Sequence, residues 1–216
     1  MPDLPPEKAN FAEAVNHLRA GDPRLAAVID RVGPCRLECR AQGITALVYS
    51  VAGQQLSGRS ARAIRTRLDT LFGNNGISPE QLARTGEEEL RTTGLSRMKI
   101  KCLHSLADQV LAGTIDFQKL ETMDDEAIIT VLSRVKGIGR WTAEMYLIFA
   151  LLRPDVFPID DFAIRTAMTS LDDLPKTDVN ARARQVAESW RPFRTVACWY
   201  LYRYLGILRD GEKQAP

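Results

Sequence analysis

Residues 132–161 read LSRVKGIGRWTAEMYLIFALLRPDVFPIDD and contain the features that decide the fold. Gly137-Ile-Gly139 separates two segments with helical hydrophobic periodicity, which predicts a short turn between two helices. Glycine allows backbone angles and close approaches that a Cβ atom would block, so the two glycines are typical of such a turn. We therefore predict a helix-hairpin-helix motif in which Ile138 points inward and pins the two helices.

The second helix of this hairpin begins beside Gly139, where its first N–H groups have no partner within the helix. These groups carry partial positive charge and point outward, so an anion such as a phosphate fits there. Lys136 and Arg140 flank the glycines and add positive charge. A phosphate contact of this kind carries no sequence information. Taken alone, the Gly-x-Gly pattern is equally typical of a plain helical turn capped by glycine.

Two adjacent carboxylates follow at a predicted helix start, and Asp161 lies 24 positions after Gly137. Either Asp160 or Asp161 could serve as a helix N-cap. An ionised carboxylate also stabilises the positive charge that develops at C1′ of a sugar when an N-glycosidic bond breaks, and it can orient water. The carboxylate pair and the phosphate-binding hairpin together indicate an enzyme that acts on DNA.

Helical periodicity dominates the rest of the chain, and strand alternation is scarce. Cap and turn residues divide the chain into about a dozen short helices. The predicted helices cover residues 7–19, 23–31, 44–55, 58–72, a short segment after Ser78, 87–93, 97–111, 124–135, 140–152, 160–170, 179–188 and 192–208. We predict a compact all-α fold, in which two small helical subdomains flank a cleft.

The domain prediction is one unit over residues 1–210, made of two subdomains. The first combines the terminal segments, about residues 1–42 and 162–216. The second is a central helical subdomain, about residues 43–161, which contains the hairpin at 132–145.

The composition is that of an ordinary soluble globular protein, with 45% hydrophobic and 26% charged residues. A net charge of +2 excludes a polybasic nucleic-acid coat. Cations cluster at residues 59–67, 91–101 and 182–209, as a basic face or as solvated helix surface. The first ten residues have no signal-peptide character, and the longest apolar run, 145–152, is too short to span a bilayer. The four cysteines lack zinc-site spacing. We expect a cytoplasmic protein, nucleoid-associated if bacterial, without membrane contact.

The stretch from Leu132 to about Met168 resembles the signature of the helix-hairpin-helix DNA glycosylase superfamily, most closely its alkylpurine (3-methyladenine) branch of the bacterial inducible type. The likeness covers about residues 40–208 and is carried by the hairpin, Arg140-Trp-Thr-Ala143, Pro158-x-Asp-Asp161, Gly53-Gln-Gln-Leu-Ser57, Gly94-Leu-Ser-x-x-Lys99 and Trp190-Arg-Pro-Phe-Arg194. Larger members carry an N-terminal β-domain, and we expect this chain to be a short form without one.

The resemblance implies that Asp161 is the catalytic carboxylate and that Asp160 caps or orients the following helix. It places base-stacking aromatics at Trp141 and Tyr202, where Tyr202 replaces a Trp of the best-known pattern. Met145 stands where an aromatic is also common. The full expected substrate pocket comprises Trp141, Met145, Phe162, Trp199 and Tyr202.

The resemblance also implies a loop that fills the gap left by a flipped base, with Gln55 at its tip. The alternative is that Gln54 and Gln55 only cap the preceding helix. The expected DNA-binding residues are Gln54, Gln55, Leu56, Lys136, Gly137, Ile138, Gly139, Arg140 and Thr142.

The family hairpin binds a monovalent cation through backbone carbonyls, which by position are those of Ser133, Val135 and Ile138. Some relatives hold a four-cysteine iron–sulfur cluster after the catalytic region. Only Cys198 lies there in this chain, so we expect no cluster and no required cofactor.

Members that also nick the strand have a Lys two positions after the second hairpin glycine. This chain has Trp141 there, which predicts hydrolysis without lyase activity. We therefore expect a monomeric, monofunctional DNA glycosylase that binds double-stranded DNA and removes alkylated purines after base flipping. The alternatives are a glycosylase for uracil or hypoxanthine, and a non-enzymatic DNA-binding module.

Overall fold

The structure is a computed structural model that describes residues 11–39, 41–73, 76–172 and 179–212. Within these ranges it contains thirteen α-helices and no β-strand, which confirms the all-α prediction. The helices are α1 (Ala12–Gly21), α2 (Pro23–Val32), α3 (Gly43–Gly53), α4 (Gly58–Phe72), α5 (Pro79–Arg84), α6 (Glu87–Thr92), α7 (Arg97–Leu111), α8 (Phe117–Thr122), α9 (Asp125–Leu132), α10 (Arg140–Phe149), α11 (Phe162–Asp172), α12 (Val179–Glu188) and α13 (Arg194–Glu212). The predicted start of the first helix at residue 7 lies outside the described residues.

Cap residues in the sequence account for most helix starts. The Asp22 carboxylate accepts the first N–H groups of α2, and the Ser96 hydroxyl accepts an N–H of α7. Ser78 and Gln81 form a reciprocal capping box at the start of α5. The sequence prediction misses α8, which has only six residues, although Asp116 caps it with the same chemistry.

The helices next to the hairpin are shorter than predicted. Helix α9 ends at Leu132 instead of residue 135, and α10 ends at Phe149 instead of residue 152. Helix α11 begins at Phe162 instead of residue 160. The difference at α11 decides which aspartate caps it.

The chain divides into two compact units. The terminal unit comprises the residues up to Glu38 and those from Leu152 onward, and the central unit is Cys39–Leu151. Residues 152–161 therefore cluster with the termini, whereas the predicted boundary assigns them to the central part. Thr195 explains this placement, because its N–H donates to Pro154 O at 3.0 Å and its Oγ1 accepts the Val156 N–H at 3.0 Å.

In the terminal unit, α13 is the central helix and packs against α1, α2 and α11. Trp190 is fully buried, and its Nε1 donates to Asp22 Oδ2 at 3.1 Å. This bond ties the segment before α13 to the start of α2 and satisfies a buried indole. Helix α13 also positions α11, and the predicted catalytic residue Asp161 directly precedes α11.

In the central unit, α3 is largely buried and packs against α4, α7 and α10. The hairpin helices α9 and α10 pack against each other. The loop that follows α3 is thereby fixed on the same unit as the hairpin. In the part of the chain that the structure describes, no helix is long and apolar enough to cross a membrane.

Candidate active site

Gly137 occupies a position that only glycine fits without strain. Its φ is +100°, which side chains rarely adopt. A Cβ atom built on it would lie 2.9 Å from Cys102 Cβ and 3.0 Å from Cys102 Sγ, closer than such contacts allow. The turn closes with the Ile138 N–H donating to Val135 O at 2.9 Å. The predicted tight turn therefore exists and depends on Gly137.

Gly139 is different, because nothing inside the protein requires a glycine there. Its φ is −98°, and an added Cβ would meet no atom within 4 Å. Gly139 is the N-cap residue of α10, and no side chain caps that helix. The expectation that both glycines serve the turn is thus wrong for Gly139. The uncapped start of α10 and the open space beside it suit an external anion.

Lys136 is exposed beside the turn, but Arg140 is committed to carboxylates of its own unit. Its guanidinium donates to both Glu126 oxygens at 2.9 and 2.5 Å and to Glu144 Oε1 at 3.0 Å. The hydrogen bond that Arg140 donates to Glu126 is the main reason that the pKa of Arg140 is raised above its ordinary value. Arg140 therefore offers less free positive charge to DNA than its position in the sequence predicts.

The predicted DNA-binding residues Ile138 and Thr142 have buried side chains, 3% and 2% exposed. Ile138 points inward, as predicted, so only its backbone is available to DNA. Thr142 Oγ1 accepts a hydrogen bond from Gln54 Nε2 at 2.8 Å. The Thr142 side chain is therefore engaged inside the protein, and the DNA contacts at these two positions stay predictions.

The loop after α3 is braced from two sides. Gln54 Nε2 donates to Gly137 O at 2.9 Å as well as to Thr142, which joins the loop to the hairpin. Lys99 Nζ donates to Ala52 O at 2.9 Å and to Gln54 O at 2.8 Å. Burial lowers the pKa of the Lys99 ammonium below its ordinary value. Gln54 thus holds the loop internally, whereas the sequence predicts it as a DNA contact.

Gln55 is exposed at the tip of this braced loop and has a φ of +56°, an unusual value for a residue with a side chain. Leu56 next to it is 41% exposed. Gln54 is the C-cap residue of α3. The alternative that these glutamines cap the helix therefore applies to Gln54 and not to Gln55. Backbone strain at an exposed tip is typical of functional loops.

Asp161 is buried, only 6% exposed, and it is the residue that caps α11. Its Oδ1 accepts the N–H groups of Ala163 at 2.7 Å and Ile164 at 3.0 Å. Asp160 is exposed, and the expectation that it caps the helix is wrong. The Asp161 N–H donates to Pro158 O at 2.9 Å, and this turn places Asp161 at the cap position. Both amides of the first turn therefore hold one carboxylate oxygen in a fixed position at the start of α11.

Three predicted pocket residues lie in the terminal unit with Asp161. Tyr202 donates its hydroxyl to Asp161 Oδ2 at 3.1 Å. Phe162 is 68% exposed, so its ring is available to a ligand. Trp199 is buried and packs edge-to-face on Tyr200, with ring centroids 5.0 Å apart, while Arg203 lies over its ring at 5.6 Å. Core packing therefore accounts for Trp199, whereas Tyr202 contacts the carboxylate and Phe162, the next residue in the chain, has an exposed ring.

Trp141 and Met145 lie on α10 of the central unit. Trp141 is half-buried and Met145 is buried. Their role in a substrate pocket stays a prediction from the resemblance.

The sequence prediction misses three sets of contacts that the structure shows within the two units. These are the Tyr202 hydroxyl, the Glu126 and Glu144 carboxylates on Arg140, and the Lys99 brace. Lys99 stands in the quoted Gly94–Lys99 segment, which is the one signal that pointed to it. The other two are contacts between residues far apart in the sequence or on different helix turns.

Residues 48–192 match the HhH-GPD superfamily of base excision DNA repair proteins. The match covers more than half of the chain, so the protein belongs to this superfamily. The predicted family is thereby confirmed.

The most similar relatives include DNA-3-methyladenine glycosylase 1 of Schizosaccharomyces pombe, which is 36% identical over 83% of this chain and 80% of that protein. The alkylbase DNA glycosidase-like protein mag2 of the same yeast is 28% identical over 94% of this chain and 98% of that protein. Among solved structures, the S. pombe 3-methyladenine DNA glycosylase in complex with abasic DNA superimposes with a TM-score of 0.82 at 35% identity, covering 88% of this chain and 95% of that one. A DNA-3-methyladenine glycosidase from Bacillus halodurans gives 0.76 at 34% identity, covering 92% of each chain.

Proposed function

We propose that this protein is a monofunctional DNA glycosylase that hydrolyses the N-glycosidic bond of alkylated purines, such as 3-methyladenine, in double-stranded DNA. The observation that carries the proposal is the buried carboxylate of Asp161, held at the N-terminus of α11 in a chain of the HhH-GPD superfamily. The names of its relatives, DNA-3-methyladenine glycosylases, support the substrate class.

Asp161 supplies the charge that the reaction needs. Departure of the base leaves an oxocarbenium-like sugar with positive charge at C1′, and a carboxylate fixed near C1′ stabilises that charge more than it stabilises the uncharged sugar of the intact nucleotide. Alkylation at N3 or N7 makes the purine cationic, so the base leaves without being protonated by the protein. The same carboxylate orients the water that completes hydrolysis.

The hairpin anchors the DNA through its backbone. The uncapped start of α10 at Gly139 provides N–H donors and partial positive charge for one phosphate. The exposed Lys136 adds the full positive charge of its ammonium group. Such a contact fixes the position of the DNA strand without reading sequence. It is therefore suited to an enzyme that finds a lesion in any sequence context.

The braced loop fills the duplex when the damaged base leaves the stack. Flipping costs a few kcal/mol, and an inserted side chain offsets part of that cost. Gln55 stands exposed at the tip for this role, with Leu56 beside it. Tyr202, Phe162 and Trp141 are proposed to stack on the cationic base, at a gain of about 0.5–2 kcal/mol.

Three further parts of the proposal rest on the resemblance. The chain acts as a monomer, and Trp141 in place of a Lys means that no strand nicking accompanies base release. A monovalent cation held by the carbonyls of Ser133, Val135 and Ile138 would add positive charge near the bound phosphate. The Val135 carbonyl oxygen accepts the Ile138 N–H with one lone pair, and its second lone pair could bind the cation.

A base-release assay tests the proposal. The purified protein is incubated with methylated DNA and with duplexes that carry uracil or hypoxanthine, and the freed bases are identified by mass. Release of 3-methyladenine without strand cleavage is expected. Release of uracil or hypoxanthine instead would move the chain to another lesion class, and a DNA gel shift without any free base would support a non-enzymatic binding module.

A further inference from the structure

Both oxygens of the Asp161 carboxylate receive hydrogen bonds from different parts of the terminal unit. Oδ1 accepts the two amides of the α11 first turn, and Oδ2 accepts the Tyr202 hydroxyl at 3.1 Å. Helix capping alone explains the contacts at Oδ1. The contact at Oδ2 comes from α13, forty-one residues further along the chain, and capping does not require it.

Packing holds the Tyr202 side chain in this position. Leu201 and Leu205 are buried on the same helix, and α13 packs against α11. These contacts fix the rotation of α13 about its axis, so the half-buried Tyr202 faces the start of α11. The hydroxyl therefore meets Oδ2 in a geometry that the unit core determines, and no rearrangement is needed to form the bond.

We propose, resting on the proposed function, that Tyr202 is a positioning residue whose hydroxyl orients Oδ2 of Asp161 toward the reacting sugar. A phenol is neutral, so it fixes the carboxylate while leaving its full negative charge to face the cation that develops on the sugar. This role depends on the hydroxyl. It differs from base stacking, which depends on the ring and which the sequence predicts for this position.

Tyr202→Phe separates the two roles, because it removes the hydroxyl and keeps the ring. Tyr200→Phe is a matched control on the same helix, where the Tyr200 hydroxyl donates to Gly33 O, also at 3.1 Å, and Gly33 has no role in the proposed chemistry. Both variants lose one hydrogen bond of equal length. Their melting temperatures report any structural cost that they share.

The decisive readouts are single-turnover base release from methylated duplex DNA and binding of two abasic-site analogues. One analogue is a cationic pyrrolidine, which imitates the charged sugar, and the other is neutral tetrahydrofuran. We expect Tyr202→Phe to slow base release about ten- to a hundredfold, the size of a hydrogen bond to a charged group. We expect its preference for pyrrolidine over tetrahydrofuran to shrink, with tetrahydrofuran binding unchanged and Tyr200→Phe matching the wild type in both.

Wild-type release and an unchanged pyrrolidine preference in Tyr202→Phe would overturn the proposal, and so would an equal loss of binding to both analogues. Failure of the wild type to release any alkylpurine would instead overturn the proposed function. The two failures are therefore distinguishable in one set of measurements.

Discussion

At the scale of single residues, the two hairpin glycines have separate physical roles. The fold itself requires glycine at position 137, because φ is positive there and Cys102 lies too close to allow a Cβ atom. At Gly139 the protein has room for a side chain, so we explain the glycine there by the DNA phosphate that is proposed to bind beside it. The sequence predicts the turn itself but not this division, because the contact with Cys102 joins residues 35 positions apart.

Alanine substitutions at the two positions are expected to affect different properties, stability at position 137 and DNA binding at position 139. Gly137→Ala strains the backbone and overpacks against Cys102, so it should lower the free energy of unfolding by about 1–3 kcal/mol. Gly139→Ala should change stability much less and weaken binding to undamaged duplex DNA. Urea unfolding and fluorescence anisotropy of labelled DNA measure the two quantities. A stable Gly137→Ala, or normal DNA affinity in Gly139→Ala, would contradict these roles.

The aspartate pair shows a second limit of prediction at this scale. Asp160 and Asp161 both have the spacing of an N-cap, and the sequence alone cannot decide between them. The turn from Pro158 to Asp161 decides it, by starting α11 at Phe162. Helix capping and the proposed catalytic role therefore fall on one residue, Asp161.

At the scale of elements, hydrogen bonds in the central unit connect the loop after α3 to the hairpin and to α7. Lys99 on α7 holds the loop carbonyls, and Gln54 links the loop to the hairpin. The sequence identifies the loop, the hairpin and the Gly94–Lys99 segment separately through their resemblance to a family. It does not reveal that they are connected, because every residue has a backbone carbonyl, and a hydrogen bond to it does not restrict which residue type stands there.

Lys99→Met tests the brace. Without the two hydrogen bonds from Nζ the loop tip should lose its fixed position, so base release from duplex DNA should slow by about tenfold, within the range for bonds to a charged group. Release from single-stranded DNA needs no plug and should stay unchanged. Lys101→Met on the same helix, where the lysine is exposed, serves as the control. An equal effect of Lys99→Met on both substrates would count against a role in flipping.

At the scale of the whole molecule, the runs of positive charge in the sequence overstate the free positive charge. In the run 59–67, Arg67 donates to Thr93 O and Arg65 lies over the Tyr49 ring at 4.4 Å. In the last run, Arg191 and Arg194 bind Asp155 at 2.6 and 2.7 Å. The carboxylates and carbonyls that engage these cations come from other parts of the chain, so a count of charges along the sequence cannot include them. The helical class, by contrast, follows from local periodicity and caps, and it is confirmed.

Alkaline unfolding tests the core of the central unit through Tyr146, which is 1% exposed. Burial, with smaller contributions from the charges of Glu121 and Cys39, raises its pKa well above the ordinary phenol value of 10.0. The unfolded chain therefore loses this proton first, and the stabilisation present below pH 10 is lost as pH rises through the folded pKa.

Urea unfolding at several pH values, compared with Tyr146→Phe, measures this effect. The wild type should lose about 1.4 kcal/mol per pH unit from this group above its unfolded pKa, and the variant should lose correspondingly less. Other buried tyrosines contribute the same background to both proteins. Identical pH profiles would show that the Tyr146 phenol is not buried in the folded unit.

The central claim concerns Asp161, and Asp161→Asn tests it most directly. Asparagine caps helices as well as aspartate does, so the variant should fold and bind DNA like the wild type while lacking the negative charge. Release of 3-methyladenine from methylated DNA, followed by mass analysis of the freed bases, is the measurement. We predict release by the wild type and almost none by the variant. Release by Asp161→Asn at the wild-type rate would contradict the account.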